Sequence, residues 1–238
     1  MKSKNYDIKE LIGYLDAQVG EDMIKSDSTP LIEIYKSLSN RSNQLILECG
    51  VRKGYSTTIF THHSELTKGE CYSVDIEDCS DVVSSDKWFF HQADDTNQKE
   101  ILSQFSKIQT SGIDILYIDS LHTTDHVKKV LYIWFPYLNK NSLIFIDDID
   151  SFNYSKGNSK DNVFNQINWE EMNKFTIDFA RSNRSQVSLI QYYSKSGLAK
   201  IYKYSEKGSL PSNINSYRRF IGLIQLIKAV RKIKSLFN

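Results

Sequence analysis

Asp119 and His122 in "YIDSLH", with Asp147 and Asp148 in "IFIDD", are residues whose types and spacing suggest chemistry. Each acid closes a short apolar run of strand type. Adjacent parallel strands lie about 4.8 Å apart, so carboxylates at their ends can converge on one point. Carboxylates that close repel one another unless a hard cation sits among them. An all-oxygen set completed by water is what Mg2+ takes, and Asp119, Asp147 and Asp148 are the candidate ligands for it or another divalent cation. The plainer alternative is that Asp147 caps the following loop while Asp148 and Asp150 are solvated.

A second constellation lies upstream in "ECGVRKGYS", where Glu48, Gly50, Gly54 and Ser56 follow an apolar run and precede a helical pattern. Gly50 allows a sharp turn and close approach of a ligand to the backbone. Gly54 opens the helix, whose free N–H groups attract an anionic group, and Ser56 adds a hydroxyl donor. A dinucleotide site would read G-x-G-x-x-G. Here the pattern is G-x-x-x-G with an acid two residues before it, which would oppose a pyrophosphate. That acid suits the cationic end of S-adenosylmethionine instead. Asp75 ends the next apolar run, in position to accept hydrogen bonds from a ribose diol, with Glu77 and Asp78 as close competitors. Asp94 and Asp95 follow the third run. One of them could meet the adenine amino group, or both could cap the helix that begins near Asn97.

Positioning these acids requires parallel strands. The runs at 44–49, 70–76, 87–92, 113–119 and 142–149 contain three to five apolar residues with little alternation, as strands buried on both faces do. Helical stretches at 55–66, 97–107, 123–135 and about 160–182 alternate with them, predicting a doubly wound, mostly parallel α/β sheet. "QVSLIQYY" and "LAKIYKYS" around "SKSG" add an antiparallel hairpin, for seven strands in all. Helices are also expected over 8–15 and from Pro30 onward. The division predicted is N-terminal helices over 1–44, a catalytic domain over 45–205 and a basic amphipathic helix within 206–238.

Five parallel strands closed by a hairpin resemble the Rossmann-like sheet of class I S-adenosylmethionine-dependent methyltransferases. The motif "ECGVRKGYS" is similar to the E-x-G-x-x-x-G-Y-S of metal-dependent O-methyltransferases of the catechol and caffeoyl-CoA type. Over residues 45–150 the resemblance extends to bacterial methyltransferases related to cephalosporin hydroxylase and to sugar and macrolide O-methyltransferases. It implies S-adenosylmethionine bound by Glu48, Gly50, Gly54, Ser56, Asp75, Asp94 or Asp95, and Asp119. It also implies metal ligands at Asp119 and the Asp147–Asp148 pair. His122 stands where the sugar and macrolide group has histidine and catechol-type enzymes have lysine. Histidine titrates near neutrality, so His122 would be the base that removes the acceptor's hydroxyl proton. Two departures stand out: Val130 where an acid often lies, and Asn141–Ser142 in place of Gly-Gly before the fifth strand.

The 238 residues can bury one sizeable core, and 30 basic against 29 acidic side chains give no field that argues for nucleic acid. Cys49, Cys71 and Cys79 have no metal-type spacing, so a reducing cytoplasm is expected. There is no signal-like core in the first residues and no apolar run of about 18 residues. The polar, aromatic stretch 151–170, with Tyr154 and Trp169, is expected to wall the acceptor, a small molecule or glycan hydroxyl. Residues 217–238 carry an apolar stripe and a basic surplus. Such a helix can lie on an anionic membrane or pack on the body or a second subunit, and packing or a homodimer is favoured. The competing functional classes are a nicotinamide-dependent oxidoreductase, disfavoured by the missing third glycine and the terminal hairpin, and a non-catalytic binding protein.

Overall fold

The computed structural model describes residue 13 and residues 28–150, 163–193 and 195–214. The helix expected over 8–15, the Tyr154 part of the acceptor wall and the basic stretch 217–238 lie outside the described residues. The elements run α1 (Ser28–Leu38), β1 (Leu45–Cys49), α2 (Tyr55–Thr67), β2 (Glu70–Asp75) and β3 (Trp88–Gln92), then α3 (Gln98–Gln104), α4 (Ser106–Ser111), β4 (Ile113–Ile118) and α5 (Thr124–Trp134). A short 3-10 turn (Phe135–Tyr137) leads into β5 (Leu138–Asp147), α6 (Val163–Ser182), β6 (Val187–Tyr192) and β7 (Leu198–Lys203).

The strands form one seven-stranded sheet in the order β3-β2-β1-β4-β5-β7-β6. The first five are parallel, and β7 pairs antiparallel with both β5 and β6. The order reverses between β1 and β4, which makes their carboxyl ends the place where a crevice opens. Alternate residues along each strand feed two cores. Leu47, Leu116, Ile118 and Ile146 pack with Trp134 and Phe179 on one face. Ile46, Ile115, Tyr117 and Phe145 pack with Ile34 of α1 and Phe60 of α2 on the other. All five residues of β1 are buried, the four apolar ones as a strand covered on both faces requires and Glu48 with them.

Two elements differ from the expected bounds. The helix expected over 97–107 breaks at Phe105, whose backbone leaves the helical region at φ −112° and ψ 61°. The break lets the Phe105 ring pack against Tyr72 at a centroid distance of 4.8 Å. The fifth strand starts at Leu138 and ends at Asp147, and Asp148 turns out of it with φ 55°. Among the described residues no helix is long and apolar enough to cross a membrane, and all three cysteines are buried and free.

Candidate active site

A cleft of about 1080 Å3 lies over the carboxyl ends of β1, β2, β4 and β5. Its floor is the β1–α2 loop. Gly50 adopts φ 99°, and a Cβ there would lie 2.3 Å from the carbonyl oxygen of Asp119. Only glycine lets this loop pass so close to the end of β4. Gly54 (φ 74°) begins α2 from the left-handed region, and a Cβ would come within 2.9 Å of Val82.

Asp75 lines the cleft, as expected, but its carboxylate is already used. Oδ2 accepts the backbone N–H groups of Val51 (2.8 Å) and Arg52 (3.1 Å), and Oδ1 accepts that of Glu77 (3.0 Å). The residue therefore braces the β1–α2 loop from the neighbouring strand. Of its competitors, Glu77 also lines the cleft. Asp94 lines it too, with Oδ1 accepting the backbone N–H and hydroxyl of Thr96, so one oxygen is committed to a turn. Asp95 is almost fully buried and accepts from the Ser120 hydroxyl at 2.6 Å.

Glu48 corrects the sequence reading. It is fully buried, and its carboxylate accepts hydroxyls from Ser56 (2.5 Å), Thr57 (2.8 Å) and Ser73 (2.6 Å). Trp88 Nε1 in turn donates to the Ser73 oxygen at 2.9 Å. The side chain is aimed into the β1–α2–β2 junction instead of the cleft, which it does not line. Burial pushes its acid up to about 7, against the opposing effect of the three hydroxyl bonds. Ser56 does line the cleft, but its proton points back to Glu48, so the donor expected from it serves the fold.

At the other half of the cleft Asp119, Asp147, Asp148 and His122 come together. Tyr117, fully buried two residues before Asp119, places its hydroxyl 3.0 Å from Asp119 Oδ2 and 2.8 Å from Asp147 Oδ2. His122 Nε2 lies 3.2 Å from Asp148 Oδ2 and 3.6 Å from Asp119 Oδ1. Asp147 also accepts the Asp148 N–H (2.9 Å) and the Ser196 hydroxyl (3.3 Å). Its acid is pushed up to about 7 by burial and then by the charge of Asp148. That of Asp119 is held well above the usual carboxylate range, by burial and then by Asp147 and Asp148. The three acids thus share a region short of positive charge, and their oxygens suit a hard divalent cation. The expected convergence on one point is not preformed. Among the described residues no three Asp, Glu, His or Cys side chains surround a metal-sized space. A phenol joins Asp119 to Asp147, and an imidazole joins Asp119 to Asp148. Asp150, expected to be solvated, is buried, and its N–H donates to the Ser196 carbonyl.

Several cleft residues escaped the sequence reading. His126 lines the cleft with Nε2 3.1 Å from both Asp95 Oδ1 and the Ser120 hydroxyl. Its position six residues after Ser120, on the first turn of α5, is a helical-offset signal that carries no chemistry by itself. Tyr117 had a usable one: in a strand, residues two apart share a side, so it stands beside Asp119. Trp169, Asn165 and Asn168 of α6 line the opposite wall, and the Asn168 amide donates to the His122 carbonyl. Trp169 is thus where an acceptor wall was expected.

Residues 47–149 match the family described as "Methyltransferase domain". No curated protein matches the chain. Among solved structures, MycE methyltransferase from the mycinamycin biosynthetic pathway, in complex with Mg, S-adenosylhomocysteine and mycinamycin VI, superposes with a TM-score of 0.57 at 22% identity, covering 89% of this chain. This chain spans only 58% of the MycE length. The O-methyltransferase TomG from Streptomyces achromogenes, involved in tomaymycin synthesis and bound to S-adenosylmethionine, gives 0.55 at 14% identity over 84% of this chain and 92% of its own. PaMTH1 from Podospora anserina, bound to S-adenosylhomocysteine, gives 0.52 at 14% identity, covering 83% and 95%. Such identities fix the fold, and the sheet order, the Gly50 loop and the match over 47–149 agree with it. Over residues 47–149 the chain matches the methyltransferase domain, on the fold shared with these methyltransferases.

Proposed function

We propose that the chain transfers a methyl group from S-adenosylmethionine to a hydroxyl of a sugar or another small-molecule acceptor, assisted by a divalent cation. The observation that carries this reading is His122 Nε2, set between Asp119 and Asp148 on the cleft and next to the cleft-lining Asp147. A hydroxyl is a weak nucleophile until its proton has somewhere to go. The imidazole supplies that destination, and the two carboxylates beside Nε2 stabilise the charge it gains.

The methyl donor would lie over the β1–α2 loop, whose close packing against the end of β4 depends on Gly50. Asp94, with one carboxylate oxygen left over from its turn, and Asp75, beyond its bonds to the loop N–H groups, would meet the nucleoside part. S-adenosylmethionine supplies an electrophilic methyl carbon on a sulfonium, and orientation against the acceptor is left to the protein. Asp119, Asp147 and Asp148 would hold the cation, whose donor preference matches their oxygens. A bound divalent cation would polarise the acceptor hydroxyl and ease its ionisation. Trp169 and Asn165 offer an aromatic face and an amide to a polar ring. The near balance of 30 basic and 29 acidic residues supports a small acceptor over a nucleic acid.

The test is incubation with methyl-labelled cofactor and a panel of sugars and polyphenols, with Mg2+ or with chelator, read by mass spectrometry. Metal-dependent labelling of a hydroxyl is expected. No transfer to any hydroxyl acceptor would overturn the reading, and full transfer after exhaustive chelation would remove the cation from it.

A further inference from the structure

Tyr117 is absent from the chemistry assigned so far, yet it occupies a distinctive place. It sits in β4 between β1 and β5, paired with Glu48 on one side and Phe145 on the other. Its ring is fully buried and meets Phe60 edge-on at 5.4 Å. That leaves the hydroxyl little freedom, and it lies between Asp119 Oδ2 and Asp147 Oδ2. Asp147 has other donors in the Asp148 N–H and the Ser196 hydroxyl. Asp119 does not: among the described residues the Tyr117 hydroxyl is the one hydrogen-bond donor to its carboxylate. Without it, a carboxylate about one-third exposed would be left with only the His122 imidazole, 3.6 Å from Oδ1, beside it.

We propose that Tyr117 is a positioning residue for the cation site, whose phenol holds the carboxylates of Asp119 and Asp147 toward each other before a divalent cation arrives. The inference rests on the cation-assisted reading given above. Groups that orient metal ligands typically contribute 10- to 100-fold in metal affinity, because a ligand fixed in advance loses less freedom on binding. A purely structural tyrosine would instead affect the whole fold, the cofactor half of the cleft included.

The test compares the full-length wild type with Tyr117→Phe, which keeps the buried ring and removes only the hydroxyl. Mn2+ is the probe, with free ion counted by electron paramagnetic resonance, and S-adenosylhomocysteine affinity is measured in parallel by calorimetry. Expected is Mn2+ affinity lower by about 10- to 100-fold with S-adenosylhomocysteine affinity and melting temperature essentially unchanged. A tyrosine difference-absorbance signal on adding Mn2+ to the wild type is also expected, since the phenol's partners are engaged. That measurement does not depend on the variant folding. Equal Mn2+ affinity in the two proteins, or no tyrosine signal in a wild type that binds Mn2+, overturns the role of Tyr117 and leaves the cation-assisted reading standing. A wild type that binds no Mn2+, with or without S-adenosylhomocysteine, overturns both.

Discussion

The ends of β1 and β4–β5 each carry buried or half-buried acids, and they treat them in opposite ways. At β1, Glu48 is enclosed and met by three hydroxyls, with Trp88 securing one of them from behind. The Glu48 carboxylate does not line the cleft. At β4–β5, Asp119, Asp147 and Asp148 face one another with one phenol and one imidazole between them, on the wall of the cleft. A closed set of hydrogen bonds ties two strands and a helix together. An incompletely balanced set of charges is an arrangement that a cation or a reacting hydroxyl can improve. The difference separates acids enclosed within the fold from acids exposed to the cleft, although both end strands in the same sheet.

Breaking the β4–β5 side should have the largest effect. Asp147→Asn is expected to abolish methyl transfer and Mn2+ binding together, while S-adenosylhomocysteine affinity persists because the β1–β2 half is untouched. Calorimetry with each ligand in turn checks this, and parallel loss of both would show that the two halves are not separable. His122→Ala comes next, with turnover slowed by about 100- to 10,000-fold and both binding events largely retained. Alkaline buffer should recover part of that activity, since a polarised hydroxyl can ionise without a protein base. An unchanged rate across the pH range at saturating Mg2+ would mean that the proton leaves by another route.

The β1–β2 side should respond more mildly. Asp75→Ala removes the acceptor for the Val51 and Arg52 N–H groups and a charged partner for the cofactor, so affinity should fall by about 1–3 kcal/mol. Titration with S-adenosylhomocysteine measures it directly, and no change would remove Asp75 from the site. Glu48→Gln should change ligand affinity least and pH dependence most. The folded acid sits near 7, above its unfolded value of 4.5, so its contribution to stability is complete below about 4.5. That contribution is lost as pH rises through about 7, with a total on the order of 3 kcal/mol. Denaturant melts from pH 4.5 to 8 should show part of the wild-type slope missing in the variant. An identical slope in both would falsify the buried-acid assignment.

Much of this was legible in the chain. Mainly apolar runs such as Leu45–Cys49 point to strands covered on both faces, and "SKSG" between two β-rich runs to a hairpin; hence the parallel sheet and its antiparallel end. An acid closing such a run must lie at the carboxyl edge, so Asp75, Asp119 and Asp147 were placed in the cleft by pattern alone. Gly50 and Gly54 were legible for the same reason, because a tight strand-to-helix turn needs backbone that other residues rarely adopt. What pattern could not supply is direction. Whether Glu48 faces the cleft or the α2 junction depends on Ser56 and Thr57 of α2 and Ser73 of β2 arriving together, and no spacing encodes their convergence. How Asp119, Asp147 and Asp148 are spaced depends on Tyr117 and His122, one bridging Asp119 to Asp147 and one lying between Asp119 and Asp148. Sequence fixes which residues stand at a strand's end, because the β period is local; only the packed fold decides what each one touches, because those partners lie far along the chain.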